Sequence, residues 1–383
     1  MCGLSGIIYK DLNCKDSQRF KNAANLSKHR GPDFTGYFEE NDIEMVHHRL
    51  SILDLDERSH QPFIGNSDNS PVLIYNGEIY NYRDLALKYS LKLNTSSDTE
   101  VLYQLLQDQS FDLKELNGIF AFALYDKRQK LIRITRDRLG VKPLYYYDCD
   151  EYFIFSSEAK VIYSYLEALK INYKALSEYL TFGNTISAQT VVDGVKKLDP
   201  GSSLIIKLSD YSLIEEKYWN VEKNLLKKQI NPSYSEALKT TRELLQNAVE
   251  RQCVSDVQVG AYLSGGIDSS AVVALASKFT EKKLNTYSVN FDKNPNSELK
   301  LASKLAGKYD TNHHEFEVNT ENIDEYLSDL VFQYDEPFAD PAMIPLHLIA
   351  DKASDFSKVV LQGDGGDEIF AGYGRHLDLQ QYH

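Results

Sequence analysis

The sequence predicts two domains, the first of stacked β-sheets flanked by helices and the second an α/β domain. Three observations predict this arrangement. A chain of 383 residues with 42% hydrophobic content can bury two cores of ordinary size. Short apolar runs typical of strands fill the first half. After Trp219 the pattern changes to longer helical periods around one buried run.

The predicted strands of the first domain are short alternating or fully apolar segments. They lie at residues 4–9, 72–75, 119–125, 131–135, 144–147 and 152–155. Helical stretches at residues 98–107 and 157–166 fall between them. Strands in this number with few helices favour stacked sheets covered by helices.

The domain boundary is predicted in a polar, lysine-rich stretch that ends at Asn231-Pro232. Ser233 and Glu236 then have the spacing of a helix capping box. We therefore assign residues 2–215 to the first domain, 216–232 to a linker and 233–383 to the second domain. In the second domain a helical period precedes a predicted strand at 257–263 and a helix at 269–279, with a glycine turn between them.

Charge and composition exclude several classes of function. Lys+Arg 42 against Asp+Glu 56 gives a net charge of −14, which disfavours binding to nucleic acid or anionic membranes. No apolar run reaches the ~20 residues of a membrane helix, and the start lacks the pattern of a signal peptide. The four cysteines have no zinc or disulfide spacing. We expect a cytoplasmic protein.

Cys2 carries the first chemical signal. Removal of Met1 would place a thiol and a free α-amine on one residue, and the amine could take the thiol proton. Such a residue is nucleophile and base at once. A small residue in an N-terminal strand is the alternative explanation of Met-Cys-Gly alone.

An amide hydrolase also needs an oxyanion hole, which residues 75–81 could supply. The Asn76 side-chain amide and the Gly77 backbone N–H could both donate to a developing oxyanion. The pattern predicts that the strand ends in a glycine turn here. Asn-Gly is equally the signature of an ordinary hairpin turn.

The second signal is Ser264-Gly265-Gly266-Ile267-Asp268-Ser269, between the predicted strand and helix. Its N–H and hydroxyl groups can surround an anion at a helix N-terminus. The loop lacks the Gly-Lys-Ser/Thr ending of a Walker A motif and the spacing of a dinucleotide fingerprint. A polyphosphate ligand would also need Mg²⁺, because the chain is acidic.

Six motifs in the first half resemble the glutaminase domain of the glutamine-hydrolysing asparagine synthetase family, in the family's order. They are Cys2-Gly3, Arg30-Gly31-Pro32-Asp33, His48-Arg49-Leu50-Ser51-Ile52, Asn76-Gly77-Glu78-Ile79-Tyr80-Asn81, Ser97-Asp98-Thr99-Glu100, and Arg136-Asp137-Arg138-Leu139-Gly140 with Lys142-Pro143-Leu144. The resemblance covers about residues 2–205. It implies an α+β αββα sandwich of the N-terminal-nucleophile type, followed by a doubly wound pyrophosphate-loop domain.

The resemblance also assigns roles in glutamine hydrolysis. Cys2 would be the nucleophile, and Asn76 with Gly77 would form the oxyanion hole. Arg49 would bind the glutamine α-carboxylate and Asp98 its ammonium group. Glu78 would border the same pocket.

In the second domain the resemblance implies a site for ATP and Mg²⁺. Residues 361–368 with 370–373 resemble the second loop of the family, and residues 287–291 its adenine-contacting strand. Asp364 would assist formation of the adenylate and its attack by ammonia, while Asp268 and Asp367 would hold Mg²⁺. The residues implied for ATP binding are Leu263, Ser264, Gly265, Gly266, Asp268, Ser269, Val289, Gln362 and Gly363.

Two departures from the family pattern leave alternatives open. Some members have Glu at the position of Asp364 and Ser at that of Gly366, so the acceptor could be another carboxylate, such as a sugar acid. The family's chain normally continues beyond the second loop, so we expect that this chain is truncated and that synthetase activity is reduced. A glutaminase or regulatory module is then the alternative. Glutamine and aspartate are the expected partners, and the resemblance allows a homodimer.

Overall fold

A computed structural model describes residues 1–225, 231–291, 299–318, 323–374 and 376. The chain divides into two units. The first comprises Met1–Ile230 and Val331–Asp340, and the second Asn231–Leu330 and Pro341–His383. Residues 226–230 of the predicted linker lie outside the described residues.

The first unit alternates strands with short helices. Its strands are β1 (Gly3–Tyr9), β2 (Phe34–Glu40), β3 (Ile43–Arg49), β4 (Phe63–Ile64), β5 (Val72–Ile79), β6 (Gly118–Asp126), β7 (Leu131–Arg136), β8 (Tyr145–Asp148), β9 (Tyr152–Ser156), β10 (Lys196–Lys197), β11 (Ser202–Lys207) and β12 (Leu213–Lys217). Its helices are α1 (Ser17–Ala24), α2 (Tyr82–Lys88), α3 (Asp98–Leu105), α4 (Ala159–Tyr165), α5 (Tyr173–Phe182) and α6 (Val221–Leu225).

Two six-stranded antiparallel sheets form the centre of this unit, in the orders β10-β8-β9-β1-β3-β2 and β12-β11-β7-β6-β5-β4. Alternation along β1 shows how they are arranged. Leu4 and Ile8 enter a core shared with Ile74 and Ala123 of the other sheet, because side chains two apart share one face of a strand. Ile7 points the other way and packs with Phe20 of α1 and residues of α4. Helices α2 and α3 come after β5 in the chain, and α3 packs against that strand of the second sheet. The unit is therefore the expected αββα sandwich.

The start of α3 is fixed by its cap. The Ser97 side chain accepts a hydrogen bond from the Thr99 backbone N–H, as serine does at helix N-caps. This contact places Asp98 in the first turn, where a carboxylate interacts favourably with the helix dipole. The cap therefore positions a predicted site residue.

The second unit contains a parallel sheet in the order β15-β14-β13-β16. Its elements are α7 (Tyr234–Gln252), β13 (Val259–Tyr262), α8 (Ile267–Ala276), β14 (Asn285–Phe291), α9 (Leu299–Lys308), β15 (Asn312–Val318), α10 (Ile323–Tyr334), α11 (Met343–Ser354), β16 (Val359–Leu361) and α12 (Gly366–Phe370). The last four residues of α10 belong to the first unit. The Ser233–Glu236 capping box at the start of α7 is confirmed.

Both faces of this sheet are covered, as in doubly wound folds. Val273 of α8 and Ala302 of α9 pack with Ala261 on one face. Ile349 of α11 packs with Tyr287 on the other. The chain runs from β13 outward to β15 and returns on the other side of β13 as β16, so the switch point lies between β13 and β16. Ligands of doubly wound folds bind at the carboxyl ends of such strands.

The predicted strands and helices are confirmed, with ends that differ by a few residues. One expectation is wrong. Asn76 and Gly77 do not end a strand in a turn, because β5 continues to Ile79 and pairs with β6 along its full length. Among the described residues, no helix has the length and apolar character required to cross a membrane.

Candidate active site

One small cavity of the first unit collects the residues expected to act on glutamine. It has a volume of about 60 Å³, and its lining includes all of Cys2, Arg49, Asn76, Gly77, Glu78 and Asp98. These residues come from the start of β1, the end of β3, the middle of β5 and the start of α3. The fold therefore brings together residues up to 96 positions apart in sequence (98 − 2).

Cys2 is held in place by both its backbone and its thiol. The Leu50 N–H donates to Cys2 Sγ over 3.4 Å, and the Arg30 Nε–H donates to the Cys2 carbonyl oxygen over 2.9 Å. Burial raises the pKa of the thiol, while the N-terminal amino group and Arg49 favour the thiolate. Burial also lowers the pKa of the Met1 amino group to about 5. With this pKa, the Met1 amino group is neutral near pH 7.

Arg49 is oriented by backbone carbonyls. Its guanidinium donates to the oxygens of Asp56 at 3.0 Å and Leu53 at 3.2 Å, and also to that of Asp54. These contacts fix the side chain without neutralising its charge, since a carbonyl is uncharged. A guanidinium has five N–H donors. The three contacts use one hydrogen of Nη1 and both of Nη2, so Nε–H and one Nη1–H remain. Arg49 can therefore hold the carboxylate of a small ligand with a charge-assisted hydrogen bond.

Asn76 has the environment expected of an oxyanion-hole residue. It is 1% exposed, and among the described residues neither its Nδ2 nor its Oδ1 has a hydrogen-bond partner. Leaving a buried polar group unpaired costs roughly 1–3 kcal/mol. A ligand oxygen in the cavity would satisfy the amide nitrogen.

Gly77 is required by the approach of β6. A Cβ atom at this position would lie 2.2 Å from the Ile119 carbonyl oxygen and 2.7 Å from Phe120 Cα. Only glycine permits this pairing of β5 with β6. The glycine in this motif therefore marks the close approach of β6 to the backbone of β5, and not a turn.

Asp98 is a buried carboxylate with preset hydrogen bonds. Oδ2 accepts from the Tyr75 hydroxyl at 2.7 Å and from the Ile79 N–H at 2.9 Å. Burial nevertheless raises the pKa of Asp98. A ligand cation would stabilise the charged carboxylate, which suits the expected contact with an ammonium group.

Arg30 and Lys142 are basic residues of the motifs for which the sequence predicted no role. Arg30 joins the Cys2 carbonyl to Glu158, with a guanidinium–carboxylate distance of 3.1 Å. Lys142 lines the cavity. A lysine followed by Pro-Leu resembles a surface loop in sequence, so only the position of this motif beside the others could have indicated it.

In the second unit, the loop after β13 is organised by its serines. Ser264 Oγ and Ser269 Oγ lie 2.9 Å apart, and the Gly266 N–H donates to Ser264 Oγ. Gly265 has a φ of +91°, in the region that favours glycine. The loop then enters α8 at Ile267. Leu263 anchors its other end, since its N–H donates to the Tyr287 carbonyl oxygen at 2.8 Å.

The loop after β16 packs against the same helix start. A Cβ on Gly363 would lie 2.8 Å from the Ser269 nitrogen, and one on Gly366 would lie 2.5 Å from the Asp268 carboxylate. A side chain at position 366 would require the Asp268 carboxylate to move. The two glycine loops thus meet at the switch point of the sheet, as the expected ATP site requires.

Four other expected residues lie on these strands and loops. The Gln362 Nε2 donates to Asp364 Oδ2 at 2.6 Å, and burial raises the pKa of Asp364, to which Glu368 contributes. Val289 lies in β14 and packs beside the core around Tyr287. Asp367 directly follows Gly366, against which the Asp268 carboxylate lies.

No group of three or more His, Cys, Asp or Glu side chains with metal-binding geometry occurs in the part of the chain that the structure describes. Asp268 and Asp367 are carboxylates beside a loop suited to phosphates. Mg²⁺ takes few protein ligands and bridges phosphate oxygens. The residues present therefore fit a magnesium ion that arrives with a nucleotide.

Comparisons with known proteins match both halves of the chain. A family described as glutamine amidotransferase domain matches residues 1–219, and one described as asparagine synthase matches residues 240–383. The solved structure of an allosteric regulatory enzyme of purine biosynthesis is also similar to this chain. The aligned part covers 73% of this chain and 63% of that enzyme's chain, with 18% sequence identity and a TM-score of 0.43.

Curated relatives extend over nearly the whole chain. A Methanocaldococcus jannaschii protein assigned to the glutamine-hydrolysing asparagine synthetases is 37% identical over 99% of this chain and 76% of its own length. Asparagine synthetases [glutamine-hydrolyzing] 1 and 3 of Bacillus subtilis are 33% and 32% identical over 97% of this chain, which spans 59% and 63% of their lengths. The chain therefore belongs to the glutamine-hydrolysing asparagine synthetase family.

Proposed function

We propose that this chain hydrolyses glutamine at Cys2 and that its second unit uses the ammonia to convert aspartate into asparagine with ATP. The observation that carries the first half is the cavity in which Cys2, Arg49, Asn76 and Asp98 meet. The second half is supported by family membership and by the two glycine loops at the switch point.

Glutamine hydrolysis follows from the geometry of the first cavity. Arg49 binds the α-carboxylate and Asp98 the ammonium group, which directs the side-chain amide toward Cys2. The Cys2 thiol gives its proton to the α-amine exposed by removal of Met1, and Sγ attacks the amide carbon. Asn76 Nδ2 and the Gly77 N–H donate to the resulting oxyanion.

The breakdown of this intermediate balances without a further reactant. The C–N bond breaks and the nitrogen leaves as ammonia after it takes the proton held by the α-amine. A thioester on Cys2 remains. Water then attacks the thioester, releases glutamate and returns the proton to Sγ.

In the second unit, the loop from Ser264 to Ser269 would hold the phosphates at the N-terminus of α8. The aspartate carboxylate attacks the α-phosphorus of ATP, pyrophosphate leaves, and ammonia displaces AMP from the aspartyl-adenylate. Asp364 would assist both steps, and Leu263, Val289, Gln362 and Gly363 would border the nucleotide. Asp268 and Asp367 would hold Mg²⁺, which neutralises phosphate charge when bound.

Cys2→Ala tests the nucleophile. Glutamate release should fall to the uncatalysed rate, while asparagine formed from ammonium chloride, aspartate and ATP should be unchanged. Cys14→Ala is the matched control, because Cys14 is an exposed free cysteine. Mass spectrometry should first confirm removal of Met1. Glutamate release by Cys2→Ala at the normal rate would overturn the assignment.

Asp364 favours one alternative acceptor class. Where some relatives have glutamate, this shorter carboxylate would leave more room beside the adenylate, so a bulkier sugar acid is the second candidate. Pyrophosphate release with aspartate and with a panel of sugar acids, each with glutamine, ATP and Mg²⁺, distinguishes the two. The homodimer and the cytoplasmic location stay predictions, which light scattering and cell fractionation would test.

A further inference from the structure

Lys142 lies in the cavity that contains Cys2, although it was assigned no part in the reaction above. It belongs to the loop between β7 and β8, and only 8% of the residue is exposed. Burying an ammonium group is costly. Such a residue calls for an explanation from its contacts.

The backbone around Lys142 is fixed on both sides. Its N–H donates to Asp137 Oδ2 at 2.9 Å, and its carbonyl oxygen accepts from Arg136 Nε at 2.9 Å. Val141 and Leu139 also donate to the Asp137 carboxylate. The loop therefore presents the lysine side chain from a rigid base.

The side chain points at the N-terminal residue. Lys142 Nζ contacts Met1 Sδ at 3.1 Å, and a thioether is a weak acceptor. Removal of Met1 eliminates this contact and exposes the α-amine of Cys2. The ammonium then faces the space in which the thiol and the new amine react.

We propose that Lys142 is a positioning residue for glutamine hydrolysis, whose positive charge favours the thiolate and the neutral amine of Cys2. This inference rests on the proposed function of Cys2. A cation beside a thiol stabilises the thiolate, and a cation beside an amine disfavours its protonation. The first effect favours attack by Sγ, and the second keeps the amine in the neutral form that can accept the thiol proton.

The other two cations, Arg49 and Arg30, also act on Cys2 and the amino terminus, but each has a partner of its own. Arg49 is bound by three carbonyls and faces the ligand carboxylate. Arg30 is paired with Glu158. Burial raises the pKa of Glu158, but His29 and the other basic neighbours lower it by more, to about 2. Glu158 therefore stays charged and offsets the charge of Arg30.

Lys142 also differs in that its charge can titrate. Burial lowers its pKa to about 8, with Arg30 acting in the same direction and Glu78, Cys2 and Asp137 opposing. The groups that face the amino terminus are Cys2, Arg30, Lys142 and Asp33. Lys142 therefore loses its charge as the pH rises above about 8.

The test compares Lys142→Met, which removes the charge, with Lys142→Arg, which keeps it. Alkylation of Cys2 by iodoacetamide, located by mass spectrometry, measures thiolate formation without turnover. We expect Lys142→Met to slow alkylation at pH 7 by about tenfold, the effect of a thiol pKa raised by about one unit. Lys142→Arg should stay within about twofold of the parent protein. Lys10→Met is the control, because Lys10 is also mostly buried but pairs with Asp148.

The pH profile of kcat for glutamine hydrolysis gives a second readout, because protonation of Asp98 acts mainly on KM. The amine must be neutral, so its pKa sets the acidic limb. Lys142→Met should move that limb upward by about one pH unit, and Lys142→Arg should not. If Lys142→Met fails to fold, Lys142→Gln replaces it in both measurements.

An unchanged alkylation rate in Lys142→Met, or a rate in Lys142→Arg as slow as in Lys142→Met, would overturn the inference. Failure of the proposed function has a different signature. In that case the parent protein would release no glutamate, while the alkylation comparison would still report on the charge of Lys142.

Discussion

Asn76 shows how a single buried residue can indicate a ligand. Among the described residues its side-chain amide has no partner, although most buried polar groups in proteins are paired. The amide lies in the same cavity as Cys2. The folded protein thus bears a cost at the place where an oxyanion would form, in keeping with the preorganisation seen in active sites.

Asp98 should give glutamine binding a dependence on pH. Its pKa is raised by burial, so the carboxylate takes up a proton at a higher pH than an ordinary aspartate. Protonation removes the charge that attracts the ammonium group of glutamine. We therefore expect the KM for glutamine to rise as pH falls through this raised pKa, with a smaller change in kcat.

The measurement is a set of steady-state assays across mildly acidic pH, with Asp98→Asn for comparison. The variant should have a high KM that no longer changes with pH in this range. Asp108→Asn is a matched control, because Asp108 is exposed. In the structure described, its carboxylate accepts hydrogen bonds only from Ser110. A parent KM that is flat over the same range would contradict the role of Asp98.

Strand β3 marks the limit of what the sequence could predict. It carries Glu44, His47, His48 and Arg49, all buried, and its pattern is not that of an apolar strand. Distant partners make burial possible, since His47 Nε2 contacts the Tyr75 carbonyl oxygen and Glu44 accepts from Ser17. Such partners cannot be read from a local window. Strands with apolar patterns, such as β1 and β6, were predicted to within two residues.

Strand β5 shows a different failure. Asn-Gly is a strong turn signal, yet here tertiary contacts with β6 keep the dipeptide extended. The residues predicted to act on glutamine followed from motif order, and they all line one cavity. Lys142 was not assigned a role because its burial depends on how the β7–β8 loop folds over the N-terminus.

Gly77→Ala should therefore act on the element as well as on the site. The added methyl group would meet backbone atoms of β6 at 2.2 Å and 2.7 Å, so one strand must move. We expect unfolding free energy to fall by about 1–3 kcal/mol, as in overpacked cores, and kcat for glutamine hydrolysis to fall because the oxyanion donors shift.

Urea unfolding and steady-state assays measure the two effects. Gly307→Ala is a control with the opposite sign, because Gly307 is an exposed helical residue with open space around it. Alanine there should stabilise by about 0.5–1 kcal/mol. Equal stability of Gly77→Ala and the parent would show that β5 can accommodate the methyl group.

At the scale of the whole molecule, the two units have separate cores. In the first unit, one cluster of buried residues lies between the two antiparallel sheets. A second cluster lies between the sheet that contains β1 and the helices α1 and α4. Another surrounds the parallel sheet of the second unit. The motifs of the two halves also belong to different chemistries. Each unit therefore has its own source of stability, and the proposed function assigns each a different ligand.

We expect the chain to unfold in two steps that respond to different ligands. The single tryptophan, Trp219, lies in the first unit, where its backbone N–H donates to the Gly201 carbonyl oxygen. Tryptophan fluorescence therefore follows the first unit alone, whereas far-UV circular dichroism follows both. Urea titrations with the two probes should give one fluorescence transition and two dichroism transitions.

Ligands should then identify each transition. In the Cys2→Ala variant, glutamine at ten times its Kd should stabilise the first unit by about 1.4 kcal/mol and shift the fluorescence midpoint. ATP with Mg²⁺ should shift only the other dichroism transition, because its loops after β13 and β16 lie in the second unit. Arg49→Ala should abolish the glutamine shift and leave the ATP shift intact. One coincident transition that moved with both ligands would instead show that the two units unfold as a single cooperative structure.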